Sequence, residues 1–476
     1  MDSSSDQKFS RLMLTAMVVG SMVGAGIFSL PARFGAATGP FGAIIAWLIA
    51  GTGMLMLAFV FQSLAVRKPD LDAGIYAYPQ AGFGNYLGFA AAFGFWAGTC
   101  LGNTTYFILI MSTLGKIFPM FGEGNTLSAV LFSSIILWAV HFMILRGVRE
   151  AAFINTVVTI AKILPILLFI VILAFAFKAD LFAGSFWGGG DYSSAEVFNQ
   201  VRSTMLITVF VFIGIEGASV YSRYAKRRED VGWATVLGFI GVLCLLVLVT
   251  LLPYGVMART DLGPLRQPSM AGVLGAVVGP WGSWFVSIGL IVSVLGAYLA
   301  WSLLAAEVLY SAARSELVPK GLSHENKNQV PSAALWITNI LVQIFLIVTL
   351  FAQEAFNLAL DMTSAKTLIP YLLVAAYAVK LAVTRETYEP GSKGRGLDLT
   401  WASIATLYAF FMIVAGGLKF VLLSCIIFAP GTLLFIFARR EQQRQLFTPA
   451  EWALFFVILA GAVVGVYGLV TGIISI

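Results

Sequence analysis

The chain has 476 residues, of which 59% are hydrophobic and 11% are charged, and its mean hydropathy is +0.91. Soluble domains contain about 25% charged residues, so this composition excludes a soluble protein and indicates an integral membrane protein. The formal net charge of +6 fits basic loops beside anionic lipid. We therefore expect a lipid bilayer as the surroundings and no nucleic-acid partner.

Apolar segments with few charges recur along the whole chain. Each is about 18 residues or longer, which suits a membrane-spanning helix, whereas barrel strands alternate over about 10 residues. The thirteenth segment can cross the membrane fully or only in part. The thirteen predicted spans are residues 13–33, 41–65, 84–117, 127–145, 152–177, 203–222, 232–256, 280–312, 333–352, 355–383, 399–417, 420–438 and 450–474.

Basic residues set the predicted orientation. If the N-terminus is cytoplasmic, the inner loops hold 20 lysines and arginines and the outer ends and loops hold 7. The positive-inside rule then predicts a cytoplasmic N-terminus, and thirteen spans would put the C-terminus outside. Lys8 and Arg11 lead directly into a long span, so we expect no cleavable signal peptide.

The first predicted span contains an unusual run of glycines that ends in a proline, Gly20-Ser-Met-Val-Gly-Ala-Gly-Ile-Phe-Ser-Leu-Pro31. A second break, Gly214-Ile-Glu-Gly-Ala-Ser219, interrupts the sixth span. Glycine at this density lets the backbone leave the helix, and the freed polar groups are tolerated in a membrane only where they line a cavity or meet a ligand. Paired broken helices of this kind indicate the binding site of a transporter.

Four ionisable residues within predicted spans stand out, because each needs a partner or a function there. Lys162 lies about 15 Å along the fifth span and is either a lysine satisfied by carbonyl groups or a cation that ties this span to the broken first one. Glu216 lies inside the second break, where it either binds freed amides of its own break or couples binding to movement. Glu307 is predicted near the inner end of the eighth span. Lys366 either faces a ligand or neutralises Glu307 or Glu216.

Other chemistries find no support in the sequence. The three cysteines lie in separate spans, and the two histidines, His141 and His324, have no companion at metal-ligand spacing, so we interpret both histidines as interfacial. There is no Walker A loop, nucleophile elbow or catalytic carboxylate pair. We therefore expect no enzyme activity, no cofactor and no metal.

Several longer strings resemble the amino acid–polyamine–organocation superfamily, and within it the basic amino acid/polyamine antiporters, most of all the bacterial arginine/ornithine antiporters. Besides the two breaks, the resemblance rests on strings spread over nearly the whole chain. They are Pro69-Asp-Leu-Asp-Ala-Gly-Ile-Tyr76, Phe121-Gly-Glu-Gly-Asn-Thr126, Leu145-Arg-Gly-Val148, Pro268-Ser-Met-Ala-Gly272 and Gly279-Pro-Trp-Gly282.

The resemblance implies an all-α membrane protein of the LeuT type, with two inverted five-helix repeats, broken first and sixth helices, and two or three extra C-terminal helices. It divides the chain into a cytoplasmic N-terminus at 1–12, a first repeat at 13–177, a second repeat at 203–383 and accessory helices at 399–476. It allows a homodimer, although the chain itself does not determine the oligomeric state.

The resemblance also implies a substrate site between the repeats. The edge of the first break would bind the α-carboxylate and α-amino groups, helped by free amides at the start of a half-helix. Glu216 would couple binding to gating, and Lys162 matches a lysine that takes the place of sodium in some relatives. The expected substrate-binding residues are Gly24, Ala25, Gly26, Ile27, Asn103, Phe210, Ile213 and Trp301.

Two departures bear on the substrate. Position 210 is Phe where this family commonly has Trp, and a phenyl ring is a weaker partner for a cationic side chain than an indole. Lys366 stands where an uncharged residue is expected and would repel a cationic substrate if it faced the pocket, so we give it and Glu307 a possible role in specificity.

The sequence thus predicts a secondary-active amino-acid transporter of the cell (inner) membrane, an antiporter that exchanges a basic amino acid for a related amino acid or amine. A proton-coupled permease, or an exchanger for a non-cationic amino acid, is the alternative within this class. A non-transporting membrane receptor or subunit is the alternative outside it.

Overall fold

The computed structural model describes residues 11–71, 74–147, 151–189, 193–216, 228–388 and 394–475. Within these ranges the chain is helical and contains no β-strand. The helices of the first half are α1 Arg11–Met22, α2 Leu30–Ala37, α3 Pro40–Arg67, α4 Ala77–Phe83, α5 Asn85–Leu114, α6 Leu127–Leu145, α7 Ala151–Ala176, α8 Ala179–Gly184 and α9 Ser194–Phe210. The helices of the second half are α10 Arg228–Leu251, α11 Arg259–Leu262, α12 Ser269–Val278, α13 Pro280–Arg314, α14 Ser332–Val348, α15 Ala355–Thr384, α16 Gly394–Gly416, α17 Leu418–Glu441 and α18 Pro449–Val470.

Each predicted span corresponds to one helix or to a broken pair of helices, so the prediction of a polytopic all-α protein is confirmed. In the part of the chain that the structure describes, nine helices are long and apolar enough to cross a membrane by length and composition. Four spans fall outside that group. The helices of the first and sixth spans are short, and α7 counts only over its shorter apolar part, Ile160–Ala176. Helix α5 has 30 residues, but threonines and an asparagine interrupt its apolar sequence.

The sixth span begins and breaks earlier than the sequence predicted. Its helix α9 starts at Ser194, whose turn is capped by the Ser193 hydroxyl, and regular helix ends at Phe210, four residues before Gly214. The predicted break extends to Ser219, but residues 217–219 lie outside the described ranges. The polar first turns of α9 explain the difference, because residues 194–202 are too hydrophilic to be recognised as part of a membrane helix.

Short helices on the connections were not expected. Helices α11 and α12 lie between α10 and α13, and both pack against α2, the second half of the broken first span. The Arg259 guanidinium donates to the carbonyl oxygens of Gly35 and Ala36 at the C-terminus of α2. No amide within the helix donates to these two carbonyls. The arginine therefore caps the C-terminus of α2 and fixes its position.

Three long helices enclose the two breaks. Helix α5 packs against both α13 and α15, and α15 in turn contacts α9 and α3. Nearly every residue of α5 from Gly88 to Thr113 is buried. The accessory helices α17 and α18 pack on one another and reach this centre through contacts of α17 with α5 and α15. The breaks therefore lie at the most enclosed part of the bundle.

Candidate functional site

The first span is interrupted directly after α1. Gly24 is extended, with φ −125° and ψ −158°, and Ala25–Ser29 then form a single 3₁₀ segment before α2 begins. Pro31 lies in the first turn of α2, where amides have no helical acceptor in any case. The interruption leaves backbone amides without a helical acceptor at the start of a half-helix, an arrangement that favours a bound anion.

The second break closely approaches the first span at Gly214. Gly214 has φ +111°, a backbone conformation that L side chains rarely adopt, and a Cβ atom there would lie 2.5 Å from the Ser21 carbonyl oxygen. The Ser21 hydroxyl is 3.0 Å from the Gly214 carbonyl oxygen. Only glycine allows this approach, which joins α1 to the turn that follows α9.

Glu216 is held inside the second break and is 7% exposed. Its Oε2 atom accepts a hydrogen bond of 3.1 Å from the Gly214 amide and one of 2.6 Å from the Tyr371 hydroxyl on α15. Hydrogen bonds to a carboxylate are about twice as strong as those between neutral groups. Glu216 thus satisfies an amide of its own break and also links that break to α15.

Lys162 connects α7 to the first span. It is 6% exposed, and its Nζ atom donates to the Gly20 carbonyl oxygen at 2.8 Å, one turn before the break. The sequence left two interpretations of Lys162 open, a cation that ties the fifth span to the first and a lysine satisfied by a carbonyl group. This one hydrogen bond agrees with both.

A cavity of about 460 Å³, counting the space at its opening, lies between the two breaks. It is bounded by α1, α5, α9, α13 and α15. Its lining residues are Ser21, Met22, Gly24, Gly26, Thr99, Gly102, Asn103, Tyr106, Phe210, Val211, Ile213, Trp301, Thr363 and Thr367.

The structure brings six of the eight predicted substrate-binding residues together in this lining, namely Gly24, Gly26, Asn103, Phe210, Ile213 and Trp301. Ala25 and Ile27 are buried behind it in the 3₁₀ segment, so only their backbone is available to a ligand. Gly26 is in the closest contact of all. A Cβ atom there would lie 2.7 Å from both Phe210 Cδ1 and Val211 Cγ1.

Sequence reasoning missed most of the α5 and α15 lining. Thr99 and Tyr106 stand four and three residues from Asn103, so they occupy the same face of α5, and Gly102 lies one turn from each of them. Extending the helical spacing from Asn103 would have found Thr99 and Tyr106. Thr363 and Thr367 on α15 carried no comparable signal, because no α15 residue was predicted to face the cavity except Lys366.

The polar groups of the lining are mainly hydrogen-bond acceptors. The hydroxyls of Thr99, Thr363 and Thr367 each donate to the backbone carbonyl four residues earlier, over 2.7–3.0 Å. A hydroxyl whose proton is used in this way offers only lone pairs to a neighbour. Asn103 Oδ1 is buried and has no hydrogen-bond partner among the described residues. Together with the faces of Phe210 and Trp301, these acceptors suit a cationic group.

Lys366 lies outside the cavity. It is fully buried on α15, its Nζ atom donates to the Ser424 carbonyl oxygen at 2.8 Å, and it lies 4.3 Å from the centre of the Phe428 ring. Both partners belong to α17, so the ammonium points away from the substrate site. The sequence predicted that Lys366 either faces a ligand or neutralises Glu307 or Glu216. Its contact with α17 is neither of these.

Glu307 also lies outside the cavity, and one of the two histidines, His141, differs from expectation. Glu307 is exposed and accepts from Ser311 one turn along α13 at 3.3 Å, so it does not line the cavity. His141 was interpreted as interfacial, and this is wrong: its side chain is fully buried among aromatic rings of α6 and α14. The sequence places His141 near the end of α6, but it does not show that α14 covers this end of the helix. No cluster that could bind a metal occurs among the described residues.

An ion pair connects α2 with α15. Arg33 Nη2 on α2 is 2.6 Å from Asp361 Oδ1 on α15, and the two side chains are 16% and 14% exposed. Asp361 stands two residues before the lining residue Thr363. The pair therefore joins the second half of the broken first span directly to the wall formed by α15.

Comparison with known proteins agrees with this architecture. The family model described as amino acid permease matches residues 9–419. Among solved structures, the crystal structure of MhsT in complex with L-phenylalanine superposes with a TM-score of 0.60 at 14% identity, covering 87% of this chain and all of that one. That likeness confirms the predicted LeuT-like fold.

Curated relatives match over nearly the whole chain. An arginine/ornithine antiporter of Pseudomonas aeruginosa is 50% identical and covers 100% of both chains. An L-lysine transport protein of Corynebacterium glutamicum is 40% identical over 97% of this chain and 95% of its own length. An arginine/agmatine antiporter of Chlamydia pneumoniae is 38% identical over 93% and 92%. The chain therefore belongs to the amino acid permease family of the amino acid–polyamine–organocation superfamily, and it is a multi-pass membrane transporter of amino acids, not an enzyme.

Proposed function

We propose that this protein is an antiporter that exchanges a basic amino acid, arginine in the first place, for a related amino acid or amine by alternating access. The names of the Pseudomonas aeruginosa and Chlamydia pneumoniae relatives support exchange with ornithine or agmatine. The structural support is the cavity itself, which combines broken-helix amides with aromatic faces and hydrogen-bond acceptors.

The two ends of such a substrate find different partners in this cavity. The amides at the start of the Ala25–Ser29 segment suit the α-carboxylate, because a half-helix N-terminus stabilises an anion. The rings of Phe210 and Trp301 and the acceptors Thr99, Thr363 and Asn103 Oδ1 suit a side-chain cation. A cation over an aromatic face is stabilised by about 0.5–2 kcal/mol, so the phenyl ring at position 210 lowers affinity without excluding arginine.

Lys366 does not oppose this assignment. Its ammonium is bound on the far side of α15, so the repulsion of a cationic substrate, which the sequence alone left open, has no structural support. The acceptors of the lining favour a basic over an acidic amino acid.

The experiment that tests the proposal is counterflow in proteoliposomes. Vesicles loaded with ornithine, agmatine, lysine, histidine, tyrosine or glutamate receive labelled arginine outside, at equal pH on both sides. We expect uptake only when the vesicle contains a cationic exchange partner. Equal uptake into empty vesicles, or uptake supported by glutamate alone, would contradict a basic amino acid antiporter.

A proton-coupled permease is the second candidate, because one relative is named an L-lysine transport protein without mention of exchange. A pH gradient across empty vesicles distinguishes the two functions, since a permease would accumulate arginine without an internal partner.

We also propose the inner (cell) membrane as the location, with a cytoplasmic N-terminus, repeats at 13–177 and 203–383, and accessory helices at 399–476. The excess of lysine and arginine in the predicted inner loops supports this orientation. Labelling of single cysteines placed in alternate loops tests it. A homodimer stays a prediction, which light scattering of the purified protein would check.

A further inference from the structure

The string Pro268-Ser-Met-Ala-Gly272 begins helix α12 outside the cavity, yet its serine contacts the broken first span. Ser269 is the first residue of α12 and is fully buried. Its Oγ atom accepts a hydrogen bond of 3.1 Å from the Ala32 amide and donates to the Phe28 carbonyl oxygen over 3.4 Å. One hydroxyl therefore connects the 3₁₀ segment Ala25–Ser29 with the first turn of α2.

The two backbone groups lie at a junction where the regular hydrogen-bond pattern of a helix is interrupted. Ala32 is in the first turn of α2, whose amides have no acceptor within the helix. In a 3₁₀ helix the Phe28 carbonyl would accept from residue 31, but Pro31 has no amide proton. In a continuous α-helix Phe28 and Ala32 would bond to one another. The Ser269 hydroxyl lies between these two groups, and a side chain inserted there keeps the segment and α2 distinct.

The connection that carries Ser269 is itself anchored to α5. The Ser269 amide donates to Gln267 Oε1 at 3.1 Å, and the Ser112 hydroxyl near the end of α5 donates to the Gln267 carbonyl oxygen at 2.9 Å. Arg266 Nη2 donates to the Ser112 carbonyl oxygen at 2.9 Å, and Arg266 also forms an ion pair with Glu123. The position of the Ser269 hydroxyl is therefore fixed relative to α5, the helix that supplies one wall of the cavity.

The contact made by Ser269 is close to the amides that suit the α-carboxylate. Phe28 follows the lining residue Gly26 by two positions and belongs to the same 3₁₀ segment, Ala25–Ser29. The Ser29 hydroxyl also donates to the Gly26 carbonyl oxygen at 2.7 Å. A segment of this length makes fewer than about two turns. Movement at Phe28 therefore also moves the amides of Gly26 and Ile27.

We propose that Ser269 is a positioning residue for the carboxylate end of the substrate. It holds the Phe28 carbonyl and the Ala32 amide, and it thereby fixes the amides of the Ala25–Ser29 segment relative to the cavity. The hydroxyl then contributes to the affinity for an amino acid but not to the affinity for the corresponding amine. This inference rests on the proposed function, because it takes the α-carboxylate of a basic amino acid to bind these amides.

Binding of arginine and of agmatine tests the proposal, because agmatine has the same guanidinium group and lacks the carboxylate. We expect Ser269→Ala to weaken arginine binding at least about tenfold, which corresponds to about 1.4 kcal/mol, and to change agmatine binding less than about threefold. Isothermal titration of the purified protein measures both affinities. A general loss of packing would lower the two affinities equally. Equal losses for the two ligands, or wild-type affinity for both, would overturn the proposal.

Ser293→Ala is the matched control for the loss of a buried serine hydroxyl. Ser293 on α13 is fully buried, and its hydroxyl has no hydrogen-bond partner among the described residues. It does not line the cavity. We expect Ser293→Ala to leave the affinities for arginine and agmatine unchanged. A loss of arginine affinity as large as that of Ser269→Ala would show that the effect is not specific to the first span and would overturn the proposal.

Hydrogen exchange followed by mass spectrometry provides a readout that does not depend on the substrate. Peptides that cover residues 22–34 report on the first break. We expect faster exchange there in Ser269→Ala, because the Ala32 amide loses its acceptor, and wild-type exchange in Ser293→Ala. Unchanged exchange in Ser269→Ala would overturn the proposal. A wild type that binds neither arginine nor agmatine would instead contradict the proposed function, and hydrogen exchange would still decide whether Ser269 holds the segment.

Discussion

At the scale of single residues, Gly26 has no room for a side chain. A Cβ atom there would lie 2.7 Å from Phe210 Cδ1 and from Val211 Cγ1, which are the last residue of α9 and the residue that follows it. A side chain at position 26 must therefore displace the second break or fill the cavity.

We predict that Gly26→Val abolishes substrate binding while the protein still inserts and purifies, and that Gly26→Ala weakens binding at least about tenfold. Isothermal titration of the purified protein with arginine measures the effect. Gly241→Val is the matched control, because a Cβ atom at Gly241 on α10 meets nothing within 4 Å. Wild-type affinity in Gly26→Val would contradict the assignment of the first break as the carboxylate site.

Glu216 is the second residue whose role is defined by its contacts. Its Oε2 accepts from the Gly214 amide and from the Tyr371 hydroxyl. We predict that Glu216→Gln folds but exchanges substrate at least about tenfold more slowly, because a neutral oxygen accepts hydrogen bonds about half as strongly as a carboxylate. Exchange in liposomes at several values between about pH 5 and 8 measures the rate. Rates within twofold of the wild type throughout would leave Glu216 a purely structural role.

At the scale of helices, α15 carries lining residues on one face and a buried lysine on another. Thr363 and Thr367 face the cavity, whereas Lys366 contacts α17 through Ser424 and Phe428. Both faces are enclosed because α15 packs closely on α5. A Cβ atom added to Gly98 of α5 would lie 3.0 Å from the Lys366 Cβ atom.

From this placement we predict that Lys366→Met leaves the ranking of arginine, histidine, tyrosine and glutamate unchanged. Met fills a similar volume, and no buried carboxylate loses its counter-ion, so the melting temperature should be equal to or higher than that of the wild type. Lys366→Ala should instead melt lower, because it leaves a cavity. A competition assay beside a thermal melt gives both results, and a shift toward cationic substrates in Lys366→Met would show that the ammonium acts on the pocket.

A second link made by α15 is the Arg33–Asp361 ion pair, which attaches α2 to it. We predict that Arg33→Gln and Asp361→Asn each slow exchange, and that the double variant is no slower than either single one, because both remove the same interaction. Initial exchange rates of the four proteins measure this double-mutant cycle. Additive losses would show that the two residues act independently.

At the scale of the whole molecule, Lys162 ties α7 to α1 where the first span breaks. An ammonium at this point supplies a fixed positive charge, so we predict that sodium at any concentration leaves wild-type uptake unchanged. Lys162→Ala should slow exchange more than it weakens binding, because it releases α1 without altering the lining. Uptake with choline in place of sodium is the measurement, and a clear sodium dependence would contradict the prediction.

The sequence was sufficient for the order of the spans, the two breaks and six of the fourteen residues that line the cavity. Glycines, a proline and charges inside apolar segments are costly unless they have a function, so they are informative without any knowledge of packing. The resemblance to a known family then led to Asn103, Phe210 and Trp301, all of which line the cavity.

Only the tertiary structure decided which way the remaining polar side chains point. In a soluble protein, hydrophobic periodicity distinguishes the buried face of a helix from the exposed one, but in a membrane both lipid and core are apolar, so the sequence of α6 or α15 does not indicate its rotation. Lys366 could therefore face the cavity or α17, and His141 could face lipid or α14. The packing of α5, α14 and α17 settled both orientations. Only the assembled bundle brings Lys366 within hydrogen-bonding distance of the Ser424 carbonyl oxygen, and His141 within hydrogen-bonding distance of the Asn339 carboxamide.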